Sequence, residues 1–336
     1  MNVKLLDKYG PSTQDMRNVY CDTLLQLGRK DKRVMIIDND CSNSMGTAPF
    51  RKELPAQYIN AGIQEANSIG VAAGLSLEGY IPFVNAFGVF ATRRAYDQVF
   101  LSCGYARLNV KILGWDPGVC AVSNGGTHMP FEDVALMRVI PDMVVLEPTD
   151  TMAFAALLEK AADHEGNVYI RTQRRASTAI YQEGSEFKIG GSSLLRKGND
   201  LTILATGLLV SDALAAAADL AKDHINVRVI DMYSLKPIDE KAILSAAVET
   251  GAIVTVENAS RIGGLYSAVC DYLASSNPIP VIAVAVNDEF GEVGDLDYLK
   301  KRFGLTAADI SEKARMVLRQ KSDYAGKSGG INSPGF

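Results

Sequence analysis

The stretch 57-QYINAGIQEANSIGVAAG-74 sets the architecture of the chain, because a short apolar strand is followed directly by an Ala/Gly-rich helix. The same order of apolar run, loop and helix recurs along the sequence, which is typical of parallel strands joined by crossover helices. Within this stretch Glu65 lies just past the strand and at the start of the helix. The pattern predicts an α/β chain with a carboxylate in an unusual place.

Apolar runs rich in β-branched residues predict the strands on either side of this unit. The first half supplies strands at 33–38, 81–86, 109–114, 143–148 and 167–172, with helices near 14–29, 64–78, 90–105, 131–139 and 150–163. The second half supplies strands at 201–206, 226–232, 252–257 and 280–285, with helices near 208–222, 239–249 and 264–275.

Polar, Gly/Ser-rich sequence between about 176 and 199 separates the two halves and reads as a linker or a small hairpin. We therefore expect two parallel-sheet-based α/β domains, over 1–180 and 200–320, joined by a linker at 181–199. The second domain is expected to be the smaller, independent unit. Thr306 can cap a closing helix with Asp309 near its first turn, and residues 321–336 are expected to form a flexible tail.

Bulk composition narrows the class of protein. With 336 residues, 47% of them apolar, the chain can build two substantial cores. The net charge of −5 is spread over mixed-sign segments, so we expect no nucleic-acid or membrane partner. The five cysteines show no CxxC spacing, which favours reduced thiols and makes a zinc site improbable. With no secretion signal and no apolar run of about 18 residues, the sequence predicts a soluble, cytoplasmic protein.

Glu65 has two interpretations. A glutamate there can simply cap the following helix, since a negative charge is favoured at a helix N-terminus. However, the helix sequence 68-SIGVAAGLSL-77 is uncharged, so the carboxylate would enter an environment of low dielectric constant. A carboxylate in such a place can share or donate a proton.

Two further blocks join Glu65 as site candidates. Phe87 and Phe90 are three residues apart at a helix start, which places both rings near one face, either in the core or beside a planar ligand. His128 follows a Gly-Gly turn without apolar periodicity, which favours a loop residue at a site. Glu132 and Asp133 can orient its ring, but they are more simply explained as charges at a helix N-terminus.

These blocks, in this order, resemble the carboxyl-terminal half of transketolases, and in particular the second chain of split transketolases, over nearly all of residues 12–320. The motifs that carry the resemblance are GIxE ending at Glu65, the FxxF pair, the GxTHxxxED loop and 231-DMYSLKPID-239. The resemblance implies a pyrimidine-binding domain at 1–180 and a transketolase C-terminal domain at 200–320.

The resemblance also implies roles around the cofactor thiamine diphosphate. Glu65 matches the glutamate that hydrogen-bonds the aminopyrimidine N1′ and takes part in proton transfer. Phe87 and Phe90 match aromatic residues that line the pyrimidine pocket, and Cys41 matches an apolar position beside the cofactor. His128 matches the histidine that faces the substrate.

On the substrate side, Arg17 and Ser44 fall at phosphate-contacting positions of the family, with Arg174 or Arg171 near another. Two further positions depart from the family pattern.

Asp116 stands where many members place a phosphate-binding histidine, and Asn124 where many place an aspartate that senses a substrate hydroxyl. Because a carboxylate repels a phosphate, we expect a non-standard sugar or altered phosphate handling.

The diphosphate half of the family's cofactor site is missing from this sequence. In the family, a GDG motif followed by an asparagine holds a metal ion, whereas the Gly-Asp in 294-GDLDYL-299 lacks that context. We therefore expect a separate chain with the diphosphate-binding domain and Mg²⁺ or Ca²⁺. Thiamine diphosphate would lie at the interface of a heterotetramer with two copies of each chain.

The predicted activity is transfer of a two-carbon ketol unit from a ketose, expected to be phosphorylated, to an aldose. The alternatives are the beta chain of a 2-oxo acid dehydrogenase, a 1-deoxyxylulose-5-phosphate synthase-like enzyme and an inactive structural subunit. The GGTH loop and the substrate-side arginines favour the transketolase over the dehydrogenase. The synthase shares these motifs but normally carries both halves on one chain, and the presence of Glu65, Phe87, Phe90 and His128 together argues against an inactive subunit.

Overall fold

The computed structural model describes residues 3–328. Its strands form three sheets of two, five and seven strands. In chain order the strands are β1 Leu5–Pro11, β2 Val34–Asp38, β3 Tyr58–Asn60, β4 Ile81–Phe87, β5 Lys111–Trp115, β6 Val144–Leu146, β7 Val168–Thr172, β8 Thr178–Tyr181, β9 Ser193–Arg196, β10 Leu201–Ala205, β11 Val227–Asp231, β12 Ser234–Lys236, β13 Ile253–Ser260 and β14 Val281–Val286. Every strand predicted from the sequence is present.

The helices cover the faces of the two larger sheets. In chain order they are α1 Met16–Lys30, α2 Ser42–Met45, α3 Ala48–Glu53, α4 Glu65–Leu77, α5 Tyr96–Gln98, α6 Asp133–Val139, α7 Thr151–Asp163, α8 Val210–Leu220, α9 Glu240–Thr250, α10 Leu265–Ser276, α11 Leu296–Arg302 and α12 Ala307–Ser328. The helix predicted near 90–105 is instead two π-helical segments, Phe90–Arg94 and Val99–Tyr105, on either side of α5.

The seven-stranded sheet has the order β12-β6-β7-β5-β4-β2-β3, and the five-stranded sheet has the order β14-β13-β10-β11-β9. Within the larger sheet all pairs are parallel except β12 with β6. Strands β2, β5 and β7 are buried along their whole length, because helices cover both faces of the sheet. The predicted fold class, two parallel-sheet-based α/β domains, is confirmed.

The two halves are joined more closely than the sequence predicts. Strand β9, inside the predicted linker 181–199, pairs antiparallel with β11. Strand β12, from the second half, adds an antiparallel edge to the large sheet of the first half. The end of the predicted linker therefore belongs to the sheet of the second half, and one strand of the second half completes the edge of the first. Neither pairing follows a local sequence rule because each partner lies far away in the chain.

The end of the chain also differs from the prediction. Thr306 and Asp309 cap each other reciprocally at the start of α12, as expected. The helix then continues to residue 328, into the segment 321–336 that was expected to be a flexible tail. The residues that lead into this segment, 312–321, are mostly Glu, Lys, Ala, Arg, Met, Leu and Gln, which favour helix. The remainder of that segment, 329–336, lies outside the described residues.

Within residues 3–328, no helix is both long and apolar enough to cross a membrane. Over the same residues, no group of three or more His, Cys, Asp and Glu side chains is arranged to hold a metal ion. All five cysteines are unpaired. The cytoplasmic location stays a prediction.

Asp231, at the end of β11, connects the two halves of the chain through hydrogen bonds. Its Oδ2 accepts hydrogen bonds from Thr149 Oγ1 at 2.7 Å and from the Tyr181 hydroxyl at 2.6 Å. Its Oδ1 has no hydrogen-bond partner among the described residues. Complete burial raises the pKa of Asp231 to about 7, and the two hydrogen bonds oppose this rise. The folded state therefore favours the neutral acid.

We expect the free energy of unfolding to fall as the pH rises from about 4 to 7. Unfolded aspartate loses its proton near pH 3.9, whereas folded Asp231 keeps it to about pH 7. Over this window the folded state binds more protons, so its stability is lost with rising pH, by a few kcal/mol at most. Asp231→Asn should reduce this slope in urea melts at several pH values, while Asp163→Asn, at the exposed end of α7, should retain it. Identical slopes in the wild type and Asp231→Asn would contradict the assignment.

Candidate active site

The predicted site residues gather at the carboxyl ends of the parallel strands. Cys41 follows β2, Glu65 follows β3, Phe87 ends β4 and Asp116 follows β5. Arg174 comes two residues after the end of β7. Parallel α/β sheets bind ligands at this edge because the loops there converge on one crevice.

Glu65 is the first residue of α4, and its side chain is only 5% exposed. Both carboxylate oxygens accept hydrogen bonds from Arg94 Nη1, at 3.1 and 3.3 Å. Burial of a carboxylate is costly unless it is paired, and Arg94 supplies that pairing from the solvent side, where it is 49% exposed. The helix N-terminus adds a second favourable interaction with the charge.

Arg94 was missed by the sequence analysis. Its guanidinium carbon lies 3.8 Å from the ring centroid of Phe90, in a cation–π contact. The signal was present, because Arg94 follows Phe90 by four residues in a helical stretch and such residues share a face. Arg94 therefore bridges the buried carboxylate and the aromatic wall.

The aromatic wall consists of Phe87, Phe90 and His128. The two phenylalanine rings meet edge to face at 6.3 Å between centroids. The His128 ring packs edge to face against Phe90 at 5.1 Å and against Phe87 at 6.3 Å. The tertiary structure thus unites two motifs that are about forty residues apart in the sequence.

The acids near His128 do not orient its ring. His128 Nδ1 lies 2.9 Å from Thr127 Oγ1. Glu132 forms an ion pair with Arg93 at 3.0 Å, at the protein surface. Asp133 begins α6 but is fully buried, where it pairs with Arg171 at 2.8 Å. Thr127 therefore orients the His128 ring, in place of the two acids.

Cys41 lies beside Glu65 in a polar surrounding. Its backbone N–H donates to Asp38 Oδ1 at 2.6 Å, and its thiol donates to the Asn39 carbonyl at 3.3 Å. Burial, together with the carboxylates of Asp38 and Glu65, raises the pKa of Cys41 to about 11. The thiol is protonated at neutral pH, so it offers a compact neutral surface rather than a nucleophile.

Asp116 does not face the pocket as an unpaired charge. Its Oδ2 accepts from Arg174 Nε at 2.7 Å and lies 2.6 Å from Arg174 Nη2, while its Oδ1 accepts from the Arg174 backbone N–H at 2.9 Å. The carboxylate holds one edge of the guanidinium. The Arg174 guanidinium carbon lies 4.9 Å from the Phe87 ring centroid, so this pair continues the aromatic wall.

Three other substrate-side candidates lie near Arg174. The Arg17 backbone N–H donates to the Arg174 carbonyl at 3.1 Å, and Arg17 Nη1 donates to the Ser44 carbonyl at 3.4 Å. Asn124 is exposed and lines a cavity of about 380 Å³ together with Asp116 and Arg174. Their roles toward a substrate stay predictions.

Arg171 is placed differently from the expectation. Its side chain is 0% exposed and forms ion pairs with Asp133 and Glu147, each at 2.8 Å. Nη2 also donates to the Asn258 carbonyl at 3.0 Å, across the junction of the two halves. With its guanidinium occupied inside the protein, Arg171 has a structural role in place of the predicted substrate contact.

Comparison with known proteins agrees with this geometry. The family model "Transketolase, pyrimidine binding domain" matches residues 12–178, and "Transketolase, C-terminal domain" matches residues 190–310. The 6-deoxy-6-sulfo-D-fructose transketolase subunit of Clostridium sp. (strain MSTE9) is 48% identical, over 91% of this chain and 95% of its own length. The putative transketolase C-terminal section of Methanocaldococcus jannaschii is 39% identical, over 91% and 97%.

A solved structure of a split-gene transketolase, an inactive beta4 tetramer, superposes with a TM-score of 0.85 at 40% identity. It covers 92% of this chain, which in turn covers 100% of that structure. The 1-deoxy-D-xylulose-5-phosphate synthases, one of the alternatives considered, are more distant relatives. The chain belongs to the transketolase family, as the subunit of a split transketolase that carries the pyrimidine-binding and C-terminal domains.

Proposed function

We propose that this chain and a separate chain with the diphosphate-binding domain together transfer a two-carbon ketol unit from a ketose with an anionic end to an aldehyde acceptor. The observation that carries the proposal is one continuous wall of side chains. It begins at the buried Glu65 carboxylate, continues through the Arg94 guanidinium to the Phe90, His128 and Phe87 rings, and ends at the Arg174 guanidinium. A proton-exchanging group, a flat apolar surface and an anion-binding group therefore follow one another in space.

The residues present fit the pyrimidine half of thiamine diphosphate. A flat heteroaromatic ring needs an apolar surface and a hydrogen-bonding partner for its ring nitrogen, and the phenylalanine pair and Glu65 offer these. Bound thiamine diphosphate supplies the carbanion-stabilising chemistry that allows a carbon–carbon bond beside a ketone to break. Glu65 would hold and exchange a proton at its carboxylate, shielded from bulk water by its burial.

His128 is assigned to the substrate side of this wall. Contact between Thr127 Oγ1 and Nδ1 holds the ring, so we assign Nε2 to proton exchange with a substrate oxygen. The edge-to-face contacts with Phe87 and Phe90 fix the plane of the imidazole. Positioning of this kind supplies catalysis by orientation, because the proton carrier is held in place before the substrate arrives.

The partner chain is assigned the diphosphate and its metal, Mg²⁺ or Ca²⁺. The residues described here contain no side-chain cluster arranged for a metal ion, and the sequence lacks a GDG motif. Two copies of each chain form the proposed assembly. The anionic end of the ketose is assigned to the Arg174 side, with Arg17, Ser44 and Asn124 nearby. The name of the Clostridium relative gives a sulfonated ketose as the substrate of that protein.

Reconstitution tests the proposal. This chain alone is expected to give no ketol transfer, because it offers only half of a cofactor site, and addition of the partner chain, Mg²⁺ and thiamine diphosphate should produce it. The activity is measured by NMR as product formation from ketoses with a sulfonate or phosphate end and a common aldehyde acceptor. Light scattering measures the stoichiometry of the complex. Transfer by this chain alone, or no transfer by the complex from any such ketose, would refute the proposal.

A further inference from the structure

The cavity at the Arg174 end of the wall is nearly balanced in charge. Its lining includes three cationic side chains, Arg174, Arg175 and Lys300, and two carboxylates, Asp116 and Asp212. Arg174 is paired with Asp116, and Lys300 is paired with Asp212. Both pairs are shielded from solvent for the most part, so salt and water screen them little. A ligand entering the cavity therefore meets two ion pairs and one further cation, Arg175.

The position of the Asp116 carboxylate in this cavity is fixed by its backbone conformation and by its contacts with Arg174. Its backbone has φ +52°, in the left-handed region, and its N–H donates to the Thr172 carbonyl at 2.9 Å. The side chain is only 8% exposed and contacts Arg174 through both oxygens. The Nε and Nη2 atoms of the Arg174 guanidinium therefore contact Asp116, and the N–H groups of Nη1 can donate to a ligand.

We propose that Asp116 makes this subsite selective for a ketose with a singly charged end group, a sulfonate, over the same ketose with a doubly charged phosphate. The inference rests on the proposed function for the identity of the ligand. A phosphate monoester carries a charge of about −1.5 to −2 near pH 7, because its second pKa is about 6. A sulfonate carries a single charge, so it loses less to repulsion by the fixed carboxylate while it gains similar hydrogen bonds from Arg174.

Binding to this chain tests the selectivity without any turnover. Titration calorimetry of the full chain with the 6-sulfo and the 6-phospho ketose of one carbon skeleton gives the ratio of their dissociation constants. In the wild type we expect the sulfo ligand to bind at least about tenfold more tightly. Asp116→Asn should reduce that ratio by about tenfold or more, because the neutral amide retains an acceptor for the Arg174 N–H and removes the repulsion.

Asparagine is a suitable replacement because it tolerates positive φ. If the thermal midpoint of Asp116→Asn shows that it does not fold, Asp116→Gly tests the same loss of charge with a residue that adopts this φ freely. Tighter binding of the phospho ligand by the wild type would overturn the proposal, as would an unchanged ratio in the variant. An equal change in Asp212→Asn would overturn the assignment to Asp116.

The reconstituted complex gives a second readout. Asp116→Asn should lower KM for the phospho ketose and leave kcat unchanged, because the carboxylate acts on binding and not on the reacting carbon. The ratio of kcat/KM for the sulfo ketose to that for the phospho ketose should therefore fall. A change confined to kcat would overturn the proposal. Loss of all turnover in the wild-type complex would instead count against the proposed function, and the binding ratio would still decide the selectivity.

Discussion

Glu65→Gln is expected to lower ketol transfer by the reconstituted enzyme about 10²- to 10⁴-fold, the usual contribution of a positioned proton-transfer group. Glutamine has the same shape and can still hydrogen-bond a ring nitrogen, but it cannot exchange a proton as a carboxylate does. The change also breaks the ion pair with Arg94, whose guanidinium is half exposed and can be solvated. Turnover and thiamine diphosphate binding, measured on the same complex, separate catalysis from assembly.

The matched control is Glu53→Gln, which removes an exposed carboxylate paired with Arg29. That variant is expected to retain full turnover because Glu53 lies in α3, outside the wall of site residues. Near-normal turnover of Glu65→Gln would rule out the proton-exchange role. A Glu65→Gln protein with lost cofactor binding and an altered thermal midpoint would assign Glu65 to assembly instead.

Arg171→Met is expected to lower the free energy of unfolding by about 3–5 kcal/mol. The substitution leaves Asp133 and Glu147 buried without their common cation, and removes the link to the Asn258 carbonyl. A loss of this size is a large part of the 5–15 kcal/mol that stabilises a typical protein. Urea unfolding followed by circular dichroism measures it.

Arg29→Met provides the comparison, because Arg29 also pairs with a glutamate but at the surface, with 54% of its side chain exposed. Exposed pairs contribute about 0–1 kcal/mol, so this variant should unfold close to the wild type. Restoring charge balance with Arg171→Met, Asp133→Asn and Glu147→Gln together should recover part of the loss. A single Arg171→Met variant as stable as Arg29→Met would show that the buried carboxylates do not depend on Arg171.

The strands could be predicted because each buried parallel strand is a short apolar run, and that pattern is local. The same holds for the cap of α12 at Thr306, since capping residues act within one turn. Strands β9 and β12 were not predicted because they pair with β11 and β6, which lie far from them in the chain, and such pairing leaves no local sequence pattern. The π-helical segments beginning at Phe90 and Val99 were not predicted because each is too short for the apolar periodicity to distinguish a π-helical turn from an α-helical one.

The sequence by itself determined the family, the order of the central parallel strands and their helices, and the residues that stand at the carboxyl ends of those strands, because these depend on local patterns and on motifs in order. Only the tertiary structure decided which charges are free and which are paired. It placed Arg94 on Glu65, Arg174 on Asp116 and Arg171 inside the junction. The physical reason is that the interaction of a charge depends on its distance to other charges and on its burial, and folding sets both by bringing together residues that are far apart in the chain.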